Sequence, residues 1–171
     1  MQEGSDGARL VGGPPGNGVL KVALLRPEIP PNTGNIMRLC AATGCELHLI
    51  GPLGFRLDEA SLKRAGMDYR HWAQVFRYAD WDAFCASEAG QGRIIPVSTR
   101  GAQRLDQLTI AQGDLFLFGA EGSGLPAEIL AQAPQVARIP MTAQARSLNL
   151  ANSVAIVLYG ALATLGYPGL E

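Results

Sequence analysis

The strongest constraint on this chain is an alternation. From Leu20 onward, short aliphatic or β-branched runs give way to segments of helical pattern and then return. That order argues for an α/β domain built on a mostly parallel sheet flanked by helices. Six strands are expected, at Lys21–Arg26 (KVALLR), Glu46–Ile50 (ELHLI), Gln74–Tyr78 (QVFRY), Arg93–Ser98 (RIIPVS), Asp114–Gly119 (DLFLFG) and Val136–Pro140 (VARIP). A chain of 171 residues is sized for one such domain rather than two.

Helix boundaries are written in turn and cap residues. A first helix is expected from about Thr33 to Thr43, entered after Pro30-Pro31 and closed by Gly44. Asp58 is placed to cap a second that ends at Gly66, with Lys63 and Arg64 in its last turn. Asp80 and Gly90 bracket a third, and Pro126 and Pro134 a fourth. The last, from about Ser147 to Leu165, is apolar nearly all round, so something must cover its outer side. A second copy of the chain is the economical cover.

Residues 1–18 (MQEGSDGARLVGGPPGNG) carry neither the apolar core of a secretory signal nor the Arg-rich face of a transit peptide. They are expected to be a disordered tail or an expression remnant, with residues 19–171 forming the single domain. The apolar stretch 148–167 is broken by Asn149, Asn152, Ser153 and Thr164, so its unbroken runs fall short of the ~18 residues of a bilayer span. Cys40, Cys45 and Cys85 form an odd set without a C-x-x-C pair, which signals neither a disulfide framework nor a zinc ribbon. A reducing, cytoplasmic setting is the default.

Three loops at strand-to-helix transitions concentrate the candidate chemistry. The first is Asn32-Thr33-Gly34-Asn35-Ile36-Met37-Arg38, where Asn35 and Arg38 share a helical face near its positive end. Spacing alone leaves two readings open: an anion site, or a cap followed by a surface charge. The second, Gly119-Ala120-Glu121-Gly122-Ser123-Gly124-Leu125-Pro126, places three glycines in six residues behind LFLF. That density fits close backbone approach to a small molecule, or a structural turn. It is neither a Walker A loop nor G-x-G-x-x-G. The third runs from Ile139-Pro140-Met141 to Arg146-Ser147-Leu148-Asn149-Leu150-Ala151-Asn152-Ser153, with a polar stripe continued by Tyr159. Buried amides there need partners, in a site or between helices.

Absent features narrow the chemistry. The two histidines, His48 and His71, form no metal-spaced cluster with Cys or carboxylates, and G-x-S-x-G does not occur. His48 alternates within ELHLI as a strand residue, and the cysteines read as small buried hydrophobes. A net charge of −1 gives no global attraction to a polyanion.

Taken jointly, PEIPPNTGNIMRLCAATG, LFLFGAEGSGLP and RIPM…RSLNLANSVAIVLY resemble the three motifs of the SPOUT superfamily of methyltransferases, in its 2′-O-ribose branch. The resemblance extends from about Leu20 to Gly169. The short length, EIPPNTGN, RAGMDY and LGYPG are most similar to the small tRNA methyltransferases that modify the wobble ribose of certain leucine tRNAs. Where those members carry threonine and arginine after the second-motif glutamate, this chain has Gly122 and Ser123, as in the guanosine-specific relatives.

The resemblance implies a homodimer with a deep C-terminal trefoil knot, S-adenosylmethionine as cofactor, S-adenosylhomocysteine as product, no metal, and tRNA as partner rather than DNA or a membrane. It carries cofactor contacts onto Val97, Ser98, Thr99, Gly119, Glu121, Gly122, Ile139, Pro140, Met141, Ser147 and Leu148. Arg38 would be catalytic, supported by Asn35, Glu121, Ser147 and Asn149, with Tyr159 near the dimer or RNA surface. A guanidinium stays protonated in proteins, so Arg38 is expected to fix a phosphate and polarise the hydroxyl rather than act as base. RNA would be gripped by local cations: Lys63, Arg64, Arg70 and Arg77, or Arg100, Arg104 and Arg146. The competing expectations are a 2′-O-methyltransferase for another tRNA position or for ribosomal RNA, and a catalytically silent RNA-binding dimer. A Rossmann enzyme is disfavoured, because the first strand leads into PEIPPN and the second into Gly51-Pro52.

Overall fold

The computed structural model describes residues 7–12, 18–57 and 74–171. The strands are β1 (Ala8–Gly12), β2 (Lys21–Leu25), β3 (Glu46–Ile50), β4 (Gln74–Tyr78), β5 (Ile94–Pro96), β6 (Gln103–Arg104), β7 (Leu115–Phe118) and β8 (Ala137–Arg138). The α-helices are α1 (Pro30–Thr43), α2 (Trp81–Cys85), α3 (Ala127–Gln132) and α4 (Leu150–Thr164).

Continuous apolar runs become central strands because both faces of the sheet are covered. The main sheet has the order β1-β4-β3-β2-β7-β5, parallel throughout except for β1, which pairs antiparallel with β4. Side chains alternate between two cores. Val22, Leu24, Leu47, Leu49, Phe116 and Phe118 point to one side, where Ile36 and Met37 of α1 and Val154, Val157 and Leu158 of α4 cover them. Ala23, Leu25, Ile50, Leu115 and Leu117 point to the other, against Tyr78, Phe84 and Leu125.

The topology also fixes where a site can form. After β2 the chain steps outward through β3 and β4, then crosses to the opposite edge at β5 and returns inward to β7, beside β2. A crevice opens outside the carboxyl ends of parallel strands where the order reverses. Here the loops leaving β2, β5 and β7 meet at that place.

Five of the six expected strands stand in the main sheet. The sixth position differs: it is filled by β1, whereas Val136–Pro140 shrinks to β8 and pairs with β6 in a separate two-stranded parallel sheet. Pro140, which has no N–H to donate, lies past that short pairing. The expectation of a disordered segment through residue 18 is therefore corrected for Ala8–Gly12, whose backbone completes an edge ladder on β4. The Asp58–Gly66 helix, the RAGMDY segment, His71, Lys63, Arg64 and Arg70 lie outside the described residues.

Helix α1 begins three residues before the expected Thr33, with both prolines inside its first turn, where a missing N–H breaks no intrahelical bond. It stops at Gly44, whose φ of 67° is open to glycine without strain. Asp80 caps α2 by accepting the Ala83 N–H at 2.8 Å. Pro126 stands one position earlier than expected, as the residue before α3. Among the described residues no helix is long and apolar enough to cross a membrane. Cys40 and Cys45 are buried, and burial pushes both thiols up from their ordinary range.

His48 occupies the second core, stacked on Phe76 at 5.1 Å, with Nδ1 3.0 Å from Tyr78 Oη and Nε2 3.4 Å from Glu46 Oε2. Burial outweighs the pull of Glu46 and holds its pKa below the ordinary value. The unfolded chain therefore binds the proton more readily, and this contribution to stability is present above about pH 6.5 and lost as pH falls below it. Thermal melting between about pH 5 and 7 should show that decline, and His48→Gln should flatten it. A flat wild-type profile would contradict the assignment.

Candidate active site

The three loops singled out in the sequence converge on one cavity of about 520 Å³ beyond the ends of β2, β5 and β7. Its apolar wall includes Phe118, Leu125, Leu130, Ile139 and Met141. Such a volume suits a drug-sized or cofactor-sized molecule. Of the expected cofactor contacts, Val97, Ser98, Thr99, Gly119, Glu121, Gly122, Ile139, Met141, Ser147 and Leu148 line it, and Pro140 does not. Asn149 joins them from the supporting set. Asn35 and Arg38 share an exposed face of α1 outside the wall, and Tyr159 is exposed on α4.

Hydrogen bonds tie the loops together. The Glu121 carboxylate accepts from Glu28 N at 2.7 Å, Ile29 N at 3.0 Å and Asn32 Nδ2 at 3.2 Å. Ile29 is the residue preceding α1 and offers no capping side chain, so Glu121 supplies from a distant loop the anion that a helix N-terminus favours. Glu28 reciprocates: its Oε2 accepts the Gly122 N–H at 3.1 Å. Asn149 completes the set. Its Nδ2 donates to Asn32 Oδ1 at 3.0 Å while its Oδ1 accepts from Asn152 N at 3.2 Å, capping α4. The helix expected from about Ser147 therefore starts at Leu150, behind the Asn149 cap.

Asn32 is the hinge of this arrangement and the residue that local sequence reasoning passed over. It is 6% exposed and bonds to both other loops, whereas Asn35, selected by its spacing from Arg38, points outward. The available signal was its place inside the first turn, after two prolines, where a side chain is free to seek tertiary partners.

The glycine density of the second loop has a partly internal cause. A Cβ on Gly119 would stand 2.1 Å from Gly124 C and 2.3 Å from Leu125 N, because the loop folds back on itself through a Gly124 N–H to Ala120 O bond of 2.8 Å. Gly124 itself has φ +68°. The turn therefore needs glycine at both positions for its own closure. Among the described residues no group of three or more His, Cys, Asp or Glu could hold a metal ion.

The model of the SpoU rRNA Methylase family matches residues 19–159. The chain belongs to the SpoU methylase family. Within it, a tRNA (cytidine(34)-2′-O)-methyltransferase of Burkholderia cenocepacia is 49% identical over 154 residues, covering 88% of this chain and 99% of the relative. A solved structure described as giving structural insights into the 2-OH methylation of C/U34 on tRNA shares 43% identity with a TM-score of 0.77, covering 86% of this chain and 96% of its own. An AdoMet-bound rRNA methyltransferase from Sinorhizobium meliloti has a TM-score of 0.77 at 29% identity, over 88% of this SpoU methylase but 58% of its own length.

Proposed function

We propose that this SpoU methylase is an S-adenosylmethionine-dependent tRNA 2′-O-ribose methyltransferase acting in the cytoplasm on the wobble nucleotide, position 34, of leucine tRNAs. The base is cytidine or a modified uridine, and the enzyme works as a homodimer with a C-terminal trefoil knot. The observation that carries the reading is the Glu121–Asn32–Asn149 network. It joins all three loops around one cavity, in a chain 49% identical to a tRNA (cytidine(34)-2′-O)-methyltransferase along 99% of that enzyme. The ribosomal-RNA relative matches over only 58% of its length, which favours the tRNA substrate. Ile156 and Tyr159, 44% and 43% exposed on α4, support a covered face and hence a second copy.

The cavity fits the cofactor in volume and in its mix of apolar wall and loop backbone. The residues that would hold it are Val97, Ser98 and Thr99 after β5, Gly119, Glu121 and Gly122 after β7, and Ile139, Met141, Ser147 and Leu148 of the third segment. The bound cofactor supplies a sulfonium methyl, an electrophile that needs no further activation. What remains for the protein is placement, an effect worth roughly 7–11 kcal/mol where orientation is complete. Glu121 and Asn149 hold the loops, and Ser147 and Asn35 flank the approach. Arg38 follows Asn32 by six residues, about 9 Å of helix rise. Its planar fork orients the ribose and polarises its hydroxyl, with a phosphate oxygen or water accepting the proton.

Transfer of labelled methyl to total tRNA against ribosomal RNA, followed by nucleoside mapping, tests the function. Label in a 2′-O-methyl nucleoside at position 34 is the expected result; label confined to ribosomal RNA, or absence of cofactor binding by calorimetry, would overturn it. Arg38→Lys retains charge but not the fork. Turnover should fall at least tenfold with tRNA affinity nearly unchanged, and wild-type turnover in that variant would remove the geometric role.

A further inference from the structure

We infer that Arg100 and Arg146 form an anion-binding lip on the cavity, which takes the phosphodiester flanking the ribose that is methylated. The inference rests on the tRNA methyltransferase reading above.

The sequence groups Arg100, Arg104 and Arg146 as one basic patch, and the structure divides it. Arg104 lies on β6 with Nε and Nη2 paired to the Asp106 carboxylate at 2.9 and 2.7 Å, away from the cavity wall. Arg100 and Arg146 both line the cavity, from the loop after β5 and the segment before α4. Both are exposed, and neither guanidinium has a hydrogen bond or ion pair among the described residues. Arg93 shows the contrast: its guanidinium is satisfied by Asp114, Thr109 O and Gln135.

The wall's own carboxylate does not neutralise them. Both Glu121 oxygens are engaged by Glu28 N, Ile29 N and Asn32 Nδ2. The cavity lining thus holds its one carboxylate against the start of α1, with Glu28 bonded to Gly122 N–H beside it, and leaves two exposed guanidinium groups without a protein partner among the described residues. The guanidinium fork matches phosphate bidentately.

An RNA phosphate answers this charge better than the cofactor does. S-adenosylmethionine carries a sulfonium and an ammonium against one carboxylate, so its overall charge is positive. In RNA the 2′-hydroxyl and the 3′-phosphate sit on adjacent ring carbons, so presenting the hydroxyl to the cavity brings a phosphate to its edge. With a chain net charge of −1, local cations must supply the attraction.

The test uses Arg100→Gln and Arg146→Gln, singly and together, with Arg104→Gln as control and Arg146→Lys as the charge-retaining variant. The readouts are bulk tRNA affinity across a salt series, S-adenosylmethionine affinity by calorimetry, and melting temperature. Each glutamine change at the lip should weaken tRNA binding about tenfold. The double change should lower the slope of log K against log salt by about 0.7, the single-strand value for one phosphate contact, and each single change by part of that. Cofactor affinity and melting should match wild type. Arg104→Gln should alter none of these, and Arg146→Lys should restore the slope. A loss of cofactor affinity with an unchanged slope would assign the anion to the cofactor's carboxylate and overturn the proposal, as would a double variant that binds tRNA like wild type. Wild-type methyl transfer to the same tRNA is scored separately. Its failure removes the underlying reading, whereas wild-type transfer with indifferent variants removes only the lip.

Discussion

Asn32→Ala should reduce turnover about a hundredfold, the loss associated with a misplacement near 1 Å at a reacting centre. It should also destabilise the fold by about 2–3 kcal/mol. The reason is that one side chain serves two loops: Nδ2 donates to Glu121 and Oδ1 accepts from Asn149. Alanine leaves a carboxylate oxygen and an amide N–H short of a partner around a position that is itself 6% exposed. Glu121 retains its two backbone donors and Asn149 its cap on α4, so the chain still folds. The loss should appear chiefly in kcat, with a smaller effect on cofactor affinity. Asn32→Asp is the sharper variant. It preserves shape but replaces the donor facing Glu121 with a second carboxylate, and should melt below the alanine variant at neutral pH and approach it as acid protonates the pair. Asn32→Ala with wild-type melting and turnover would show that the loops are held by other means.

Gly119→Ala carries the second large effect. The added methyl would be placed 2.1 Å from Gly124 C and 2.3 Å from Leu125 N, both backbone atoms that cannot swing aside as a side chain does. The turn must open. Overpacking of this kind is expected to remove about 3 kcal/mol, or roughly 6–12 °C in Tm for a domain of this size. Because the displaced segment carries Glu121, cofactor binding should fall with stability. Melting and calorimetry on Gly119→Ala and on an exposed control, Ser123→Ala, would separate turn closure from general sensitivity of the loop. Equal behaviour of the two would defeat the explanation.

The contrast between what could and could not be foreseen follows from where each residue finds its partners. KVALL, ELHLI and LFLF announce strands because a run buried on both faces leaves an uninterrupted apolar signature. Ala8–Gly12 leaves none, being a five-residue edge strand bracketed by glycines, and its order depends on β4, more than sixty residues away. Val136–Pro140 has strand composition but pairs with two residues, Gln103 and Arg104, that carry no strand signal. At the site, the family motifs located the loops and most of the cavity wall. Local spacing nevertheless chose Asn35 over Asn32, because helical neighbours are visible in sequence and partners 89 and 117 positions away are not. The glycine density of the second loop fits a ligand or a turn equally in sequence, and Gly119 and Gly124 answer first to the turn.

Those long separations carry a consequence for the life of the molecule. The clasp between Glu28 and Gly122 and the bond between Asn149 and Asn32 join segments 94 and 117 positions apart, made at well-separated moments of synthesis. A chain emerging from the ribosome owns the first loop early, but cannot assemble the pocket until Asn149 has been added. Truncated products and stalled intermediates therefore lack the complete clasp, and methyl transfer begins only once translation has delivered every part of the active centre.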